Sequence, residues 1–347
     1  MSTEKRQKLL RNAGNMALFL AIMFLTFYTV LRGQDWHQIR AALMKLSFPF
    51  LMLMILAALF FVCAEGGMIW YLLRAVNPDS SGLLRCISYS FIGFFYSGIT
   101  PSSTGGQPVQ LYYMKKDGNS LSDSSVVLMT VALLFKFVLV VVGAALFLFW
   151  RAPLKSYLQG YFNLYLLGLA MHVILVAALL ALMAAPEGMR KLIFRVEHLL
   201  TRMKVMKISG GRKEKINGFI DGYRDAVHFL AKQKKRVCVA AGVTLLQRCS
   251  VFLLTGLVYY GFSQNGTGLM TILFLQASVS VAVDMLPLPG AQGVTELMYC
   301  HVFEDVFSKG YLMPSLYVTR GISFYFLLAV SLMVTVVNHV YRRRQRD

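Results

Sequence analysis

Residues 100–110 read Thr-Pro-Ser-Ser-Thr-Gly-Gly-Gln-Pro-Val-Gln, and they interrupt an otherwise apolar region of the chain. A second break, Leu-Pro-Leu-Pro-Gly-Ala-Gln-Gly-Val-Thr-Glu, occupies residues 286–296. When the two are aligned, Gly105-Gly106-Gln107 lies over Gly290-Ala291-Gln292. Because proline removes a backbone donor and glycine destabilises helices, neither stretch is expected to form regular helix.

The pairing of the two breaks points to function. In lipid, irregular backbone persists only where it is buried in protein or lines a wet cavity. Paired Gly/Pro breaks in the two halves of a membrane protein therefore indicate a transport site. The alternative is that both breaks are ordinary polar loops at the surface.

The composition is that of a polytopic membrane protein. Of the 347 residues, 57% are hydrophobic and 15% are charged, which is too apolar for a soluble domain. The net charge of +19 would suit nucleic acid. However, the basic residues cluster between apolar runs, as positive-inside topology requires, so no nucleic-acid partner is expected. The five cysteines are scattered without a CxxC or Cys/His cluster, so neither disulfides nor a metal site are predicted.

Six apolar runs are long enough to cross a bilayer. The first lacks an Ala-x-Ala-like cleavage site and is interpreted as an uncleaved helix rather than a signal peptide. The chain is predicted to form one membrane domain, 1–347, with halves at 13–185 and 237–340. The six predicted crossings are 13–31, 47–73, 124–149, 161–184, 237–262 and 314–339.

Two further apolar runs are too short to cross, and each precedes a break. Segment 86–114 lies between a polar turn and Lys115-Lys116, so it is predicted to enter from the cytoplasm and return there. Segment 269–307 is predicted to form the matching re-entrant hairpin from the outer side. With both termini inside, this is an inverted repeat whose broken tips meet near the midplane.

One long hydrophilic segment, 187–236, separates the two halves and carries 14 Lys/Arg against 5 Asp/Glu. Its apolar residues recur with helical period from Met189 to Met203 and again from Ile216 to Leu230. We interpret it as two amphipathic helices on the inner leaflet, where anionic lipid attracts them. The alternative is a plain connector whose charge only sets topology.

Six charged residues lie in or beside apolar runs, where each costs at least about 2.5–3.5 kcal/mol on insertion scales. Three are acidic and three basic, so mutual pairing would neutralise the set. In a functional site, the basic residues would bind a phosphate, and the acidic ones would bind a cationic group or carry protons. The alternative is that they form buried ion pairs that fix helix packing. The six are Glu65, Lys136, Arg248, Asp284, Glu296 and Arg320.

The breaks would add neutral ligands. Helix ends that open at their glycines leave backbone N–H groups, which favour anions, and their glutamines add further donors and acceptors. A proton or ion pathway fits the same residues. The candidate translocation residues in the breaks are Thr104, Gly105, Gly106, Gln107, Gln110, Pro289, Gly290 and Gln292.

Other residues are assigned to packing. His172 stands alone on an apolar span and is interpreted as a packing histidine. Close helix contacts are expected at Gly66, Gly67, Gly98 and Gly143.

Signals of an enzyme are sparse. No P-loop, GxSxG or HExxH motif is present, and the serines near the first break have no evident His/Asp partners. We predict no catalytic residue, cofactor or metal ligand, and the chain is not expected to be an enzyme.

Two stretches carry a family resemblance. They are Thr-Pro-Ser-Ser-Thr-Gly-Gly-Gln-Pro-Val-Gln-Leu-Tyr-Tyr-Met-Lys-Lys (100–116) and Pro-Leu-Pro-Gly-Ala-Gln-Gly-Val-Thr-Glu (287–296). With these, the chain resembles the flippase-like membrane domain of lysylphosphatidylglycerol synthases and its stand-alone relatives, over about 15–340. In the bifunctional relatives this domain moves aminoacylated phosphatidylglycerol between leaflets, while a separate soluble domain makes it. For this chain, the resemblance implies the membrane domain without the synthase domain.

The chain departs from the family at two positions. Many relatives have Glu where Gln107 stands and a basic residue near Gln110. Both positions are neutral here, so no charged role is carried over to them.

Together these features predict an all-α, polytopic protein of the cytoplasmic membrane that translocates or binds a charged phospholipid or other lipid-linked headgroup through a central polar cavity. The expected partners are that lipid, anionic inner-leaflet lipid at 187–236, and a second copy of the chain or a separate lipid-modifying enzyme. One alternative is a secondary transporter of a small charged solute. Another is a non-transporting scaffold for a lipid- or glycan-modifying enzyme.

Overall fold

Every regular element in the described part of the chain is helical. The computed structural model describes residues 46–100, 104–185, 212–286, 293–308 and 310–344, with single positions between 37 and 44 and between 188 and 195. Five helices are long and apolar enough to cross a membrane, and they confirm the all-α polytopic class. They are Phe48–Val76, Leu121–Phe149, Arg151–Ala184, Lys234–Gly261 and Leu312–Val340.

The predicted crossings agree with the observed helices, apart from 13–31, which lies outside the described residues. The chain also contains a 3-10 turn at Gln159–Tyr161 and a π-helical turn at Gly321–Phe326. In order, the helices are α1 Phe48–Val76, α2 Leu83–Ile99, α3 Gly106–Lys116, α4 Leu121–Phe149, α5 Arg151–Leu158, α6 Phe162–Ala184, α7 Arg212–Lys232, α8 Lys234–Gly261, α9 Leu269–Val283, α10 Val294–Val302, α11 Leu312–Arg320 and α12 Leu327–Arg344.

The first break lies at the turn between two antiparallel helices, α2 and α3, and its residues 106–110 form the start of α3. The expectation that neither break would be regular helix was therefore wrong for this part, since proline is tolerated in the first turn of a helix. It was also wrong for residues 294–296 of the second break, which start α10. Near the start of α2, the Tyr89 hydroxyl donates a hydrogen bond to Asp117, just beyond the end of α3. Further along α2, a Cβ added to Gly93 would meet the Gln110 side chain. Later positions of α2 thus contact earlier positions of α3, so the chain turns back on itself as a helix–break–helix hairpin.

The second break lies between α9 and α10, which also pack together. Phe274 in α9 contacts Trp150, with ring centroids 5.4 Å apart. His301 near the end of α10 contacts Tyr161, with ring centroids 5.0 Å apart. Trp150 and Tyr161 flank α5, beyond the C-terminal end of α4, whereas the first hairpin leads directly into the N-terminal end of α4. The two hairpins therefore approach α4 from opposite ends, as an inverted arrangement requires.

Close helix contacts occur at three of the four glycines predicted to allow them. A Cβ on Gly66 would lie 2.5 Å from the Ile87 Cα, and Cβ atoms on Gly98 and Gly143 would lie within 3 Å of leucine side chains. The prediction was wrong for Gly67, where a Cβ would have no neighbour within 4 Å in the described structure. Helix α1 turns Gly66, but not Gly67, toward α2.

Helix α7 covers the N-terminal part of α4 rather than presenting its apolar face outward. Tyr223 and Leu230 are buried against the spans, and the Ser122 hydroxyl donates a hydrogen bond of 3.0 Å to the Phe219 carbonyl. The second predicted amphipathic helix exists, but its apolar face is occupied by protein. The first, from Met189 to Met203, lies almost wholly outside the described residues.

Candidate functional site

A cluster of ionisable side chains lies at mid-length of the spans. Lys136 lies near the middle of α4, His172 near the middle of α6, and Arg248 near the middle of α8. Asp284 joins them from the C-terminal end of α9, where the second break begins. We call Glu65, Lys136, His172, Arg248 and Asp284 the central cluster.

Asp284 is the hub of the central cluster. Lys136 Nζ donates to Asp284 Oδ2 at 2.5 Å, and His172 Nε2 lies 3.3 Å from the same oxygen. Arg248 Nη2 lies 3.9 Å from Asp284 Oδ1. One carboxylate from a broken helix thus contacts side chains from three spans.

Gly168 allows Asp284 to reach this position. A Cβ on Gly168 would collide with the Val281 carbonyl oxygen and lie 2.8 Å from the Ala282 Cα. Only hydrogen at this position lets the backbone of α9 approach α6 so closely. Gly168 was not predicted from the sequence, because a lone glycine in an apolar run does not indicate which residue it will contact.

We expect Gly168→Val to destabilise the protein by about 1–3 kcal/mol or more, because the side chain would overlap backbone that cannot rotate away. The displacement would also part Asp284 from His172. The measurement is the melting temperature of purified protein in detergent. Gly242→Val is the matched control, since Gly242 lies in α8 with no described atom within 4 Å of a Cβ. Equal melting temperatures for the two variants would contradict the close contact.

Arg248 is buried without full pairing. Its relative exposure is 6%, and its guanidinium carbon lies 3.1 Å from the centroid of the Phe135 ring. Within the described structure, neither Nε nor Nη2 of Arg248 has a hydrogen-bond partner. Since buried N–H groups of a charged side chain are costly when unsatisfied, these two are poised for an anionic or carbonyl oxygen.

Glu65 connects the first hairpin to the central cluster. Gln110 Nε2 donates to Glu65 Oε1 at 2.7 Å, and Gln110 is only 3% exposed. Glu65 also interacts electrostatically with Arg248. Glu65 thus joins Gln110 of the first hairpin by a hydrogen bond, and its charge acts on Arg248 beside Asp284 of the second.

Glu296 and Arg320 form a separate pair. Arg320 Nε donates to Glu296 Oε1 at 2.8 Å, and Glu296 Oε2 accepts the Gly293 N–H at 2.6 Å. Gly293 has φ 82°, a left-handed conformation that favours glycine. The N-terminal end of α10 is thus occupied by the protein's own carboxylate. The helix end that was expected to open at Gly290 lies outside the described residues.

The remaining predicted residues do not join the central cluster, so far as they are described. Gly105 and Gly106 begin α3, and the Gly105 N–H donates to the Thr100 hydroxyl at 2.9 Å. Thr104 and Gln107 are exposed beside this turn. Pro289, Gly290 and Gln292 lie outside the described residues.

His172 was predicted from the sequence to be a packing residue. Its side chain is fully buried, and Nδ1 contacts the Gly168 carbonyl at 2.7 Å, as a packing residue would. Yet Nε2 faces Asp284. The one available signal was its position at mid-length of a span, which it shares with Lys136 and Arg248.

These features define a multi-pass helical membrane protein whose two broken hairpins are linked by a buried charge cluster. The family model described as the lysylphosphatidylglycerol synthase TM region matches residues 15–331, and the chain belongs to this family. Membership confirms the predicted resemblance and supports a lipid-related role in the membrane. No curated protein and no solved structure matches the chain.

Proposed function

We propose that the protein translocates a charged lipid, whose headgroup passes the central cluster while its acyl chains stay in the bilayer. The observation that carries this proposal is the buried Arg248 guanidinium, whose nitrogens Nε and Nη2 have no hydrogen-bond partner among the described residues. Arginine presents a planar fork that matches a phosphodiester. The guanidinium carbon lies over the Phe135 ring, 3.1 Å from its centroid.

The pattern of pairing favours a binding role over a purely structural one. A structural ion pair is worth burying only when its remaining donors are also satisfied. Lys136 meets that condition better than Arg248, because Lys136 Nζ lies 2.5 Å from Asp284 Oδ2. Arg248 Nη2 is 3.9 Å from Asp284 Oδ1, and the Arg248 guanidinium lies over the Phe135 ring. An incompletely satisfied cation between two broken hairpins is what a site awaiting an anionic headgroup requires.

The proposed function also has a cellular location and a topology. The chain acts without chemistry of its own, in the cytoplasmic membrane, with both termini in the cytoplasm. The basic residues of 187–236 hold anionic lipid of the inner leaflet near the first hairpin, although the apolar face of α7 is used for packing.

The test is leaflet exchange by purified protein in liposomes. Labelled phosphatidylglycerol, its lysyl ester and a polyprenyl phosphate are compared. We expect Arg248→Ala to slow exchange of the cargo about 10–100-fold, since a charge-assisted hydrogen bond contributes about 1.5–3 kcal/mol. Arg74→Ala is the matched control, because Arg74 is exposed at the end of α1.

Both variants must elute as folded protein for the comparison to count. No exchange of any lipid by folded wild-type protein, even under a proton gradient, would refute the proposal and favour the solute transporter or the scaffold.

A further inference from the structure

The hydrogen bonds of His172 fix where its protons lie. Nδ1 lies 2.7 Å from the Gly168 carbonyl, which can only accept, so Nδ1 carries a hydrogen. In a neutral imidazole, Nε2 would then be a bare acceptor. It faces Asp284 Oδ2, a second acceptor, at 3.3 Å. One additional proton between these two atoms turns a repulsive contact into a hydrogen bond.

The charges of the cluster give this proton a consequence. When Glu65 and Asp284 are both ionised, they offset Lys136 and Arg248, so the cluster is neutral when His172 is neutral. A proton on Nε2 makes it positive by one charge. Since net charge inside a membrane is expensive, a protonated cluster favours a headgroup with one negative charge.

We propose that His172 Nε2 and Asp284 Oδ2 form a proton-binding site, and that one proton accompanies one anionic phosphodiester headgroup through the central cluster. The inference rests on the proposed function and adds its coupling ion and the charge of its cargo. Phosphatidylglycerol carries the required single negative charge. Its lysyl ester is a net cation and does not.

The coupling works through competition for Asp284. The described ionisable groups facing Asp284 are Lys136 from α4, His172 from α6 and Arg248 from α8, with Glu65 of α1 beyond Arg248. When His172 takes up the proton, it supplies Asp284 with a full cationic partner, and Lys136 and Arg248 can turn to the headgroup phosphate. When the proton leaves, both cations return to Asp284 and the phosphate is released.

The transport test uses phosphatidylglycerol in liposomes with an imposed pH difference. We expect wild-type protein to move labelled phosphatidylglycerol toward the alkaline side, and to exchange the lysyl ester without regard to the gradient. His172→Asn keeps an N–H near the Gly168 carbonyl but cannot bind the proton, so it should abolish the response. His228→Asn is the matched control, because His228 is exposed on α7. Exchange that ignores the gradient in wild type would overturn the inference and leave the proposed function intact.

A second measurement needs no exchange. Nuclear magnetic resonance of ¹⁵N-histidine protein reports the protonation of each ring nitrogen, and His172→Asn assigns the His172 signals. We expect the ring to exist in a neutral form and a doubly protonated form, with a hydrogen on Nδ1 in both, because Nδ1 faces the Gly168 carbonyl. Adding phosphatidylglycerol should increase the doubly protonated fraction at a given pH, because linkage is reciprocal. A neutral ring with its proton on Nε2, or no response to lipid, would overturn the inference even if the protein exchanged no lipid.

Discussion

Asp284→Ala is expected to cause the largest loss of any single substitution in the central cluster, in both stability and lipid exchange. Asp284 is the hydrogen-bond partner of Lys136 and the nearest described carboxylate of Arg248 and His172. Removing one member of a buried ion pair costs about 3–5 kcal/mol, because the remaining charge is left uncompensated. Here both Lys136 and Arg248 lose that partner. The melting temperature in detergent and the exchange rate in liposomes measure the two effects.

Two further variants separate the causes. Asp284→Asn keeps an acceptor for Lys136 but removes the charge, so it should recover part of the stability and none of the exchange. Asp305→Ala removes an exposed aspartate near the end of the second hairpin and should change neither quantity. Wild-type stability and exchange in Asp284→Ala would show that the hub does not hold the cluster together.

Most of the architecture could be predicted from the sequence, because helix lengths and helix ends depend on local residue types. Clusters of proline and glycine interrupt helices, so the ends of α2 at Ile99 and of α9 at Val283 were expected from the sequence. Apolar length set the crossings, as for Phe48–Val76 and Leu121–Phe149. No tertiary information is needed for such features.

The pairing inside the cluster was not readable, because it depends on which faces of distant helices meet. Lys136 and Asp284 are 148 residues apart in sequence. From the sequence, six charged residues were expected in apolar surroundings, and mutual pairing among them was expected. The sequence did not indicate that they would divide into a central cluster and a separate Glu296–Arg320 pair. That division follows from close approaches such as the one at Gly168.

The surroundings of helix α7 could not be predicted from the sequence either. Its apolar period was recognised, but a period of 3.6 residues identifies a face and not what covers it. Tyr223 and Leu230 meet the protein rather than the leaflet. A lipid surface and a protein surface select the same residue types, so only the tertiary structure distinguishes them.

Replacing Lys136 and Asp284 together should show whether their ion pair serves the stability of the protein, lipid exchange, or both. Lys136→Leu alone leaves Asp284 without its strongest partner and should cost about 3–5 kcal/mol. The double variant Lys136→Leu/Asp284→Leu removes both charges, and Glu65 remains as a partner for Arg248. Its loss of stability should therefore fall short of the sum of the single losses by about 1–3 kcal/mol.

Exchange should not recover in the double variant, because the headgroup would lose one of its cations and the carboxylate that releases it. The matched cycle uses His301→Ala and Glu304→Ala, whose 3.7 Å contact is partly exposed and should show coupling of at most about 0.5–1 kcal/mol. If the double variant regained exchange along with stability, Lys136 and Asp284 would be a packing device that the lipid path does not need. Recovered stability without exchange requires the opposite conclusion, since a folded cluster without its charges would then hold its helices together but move no headgroup.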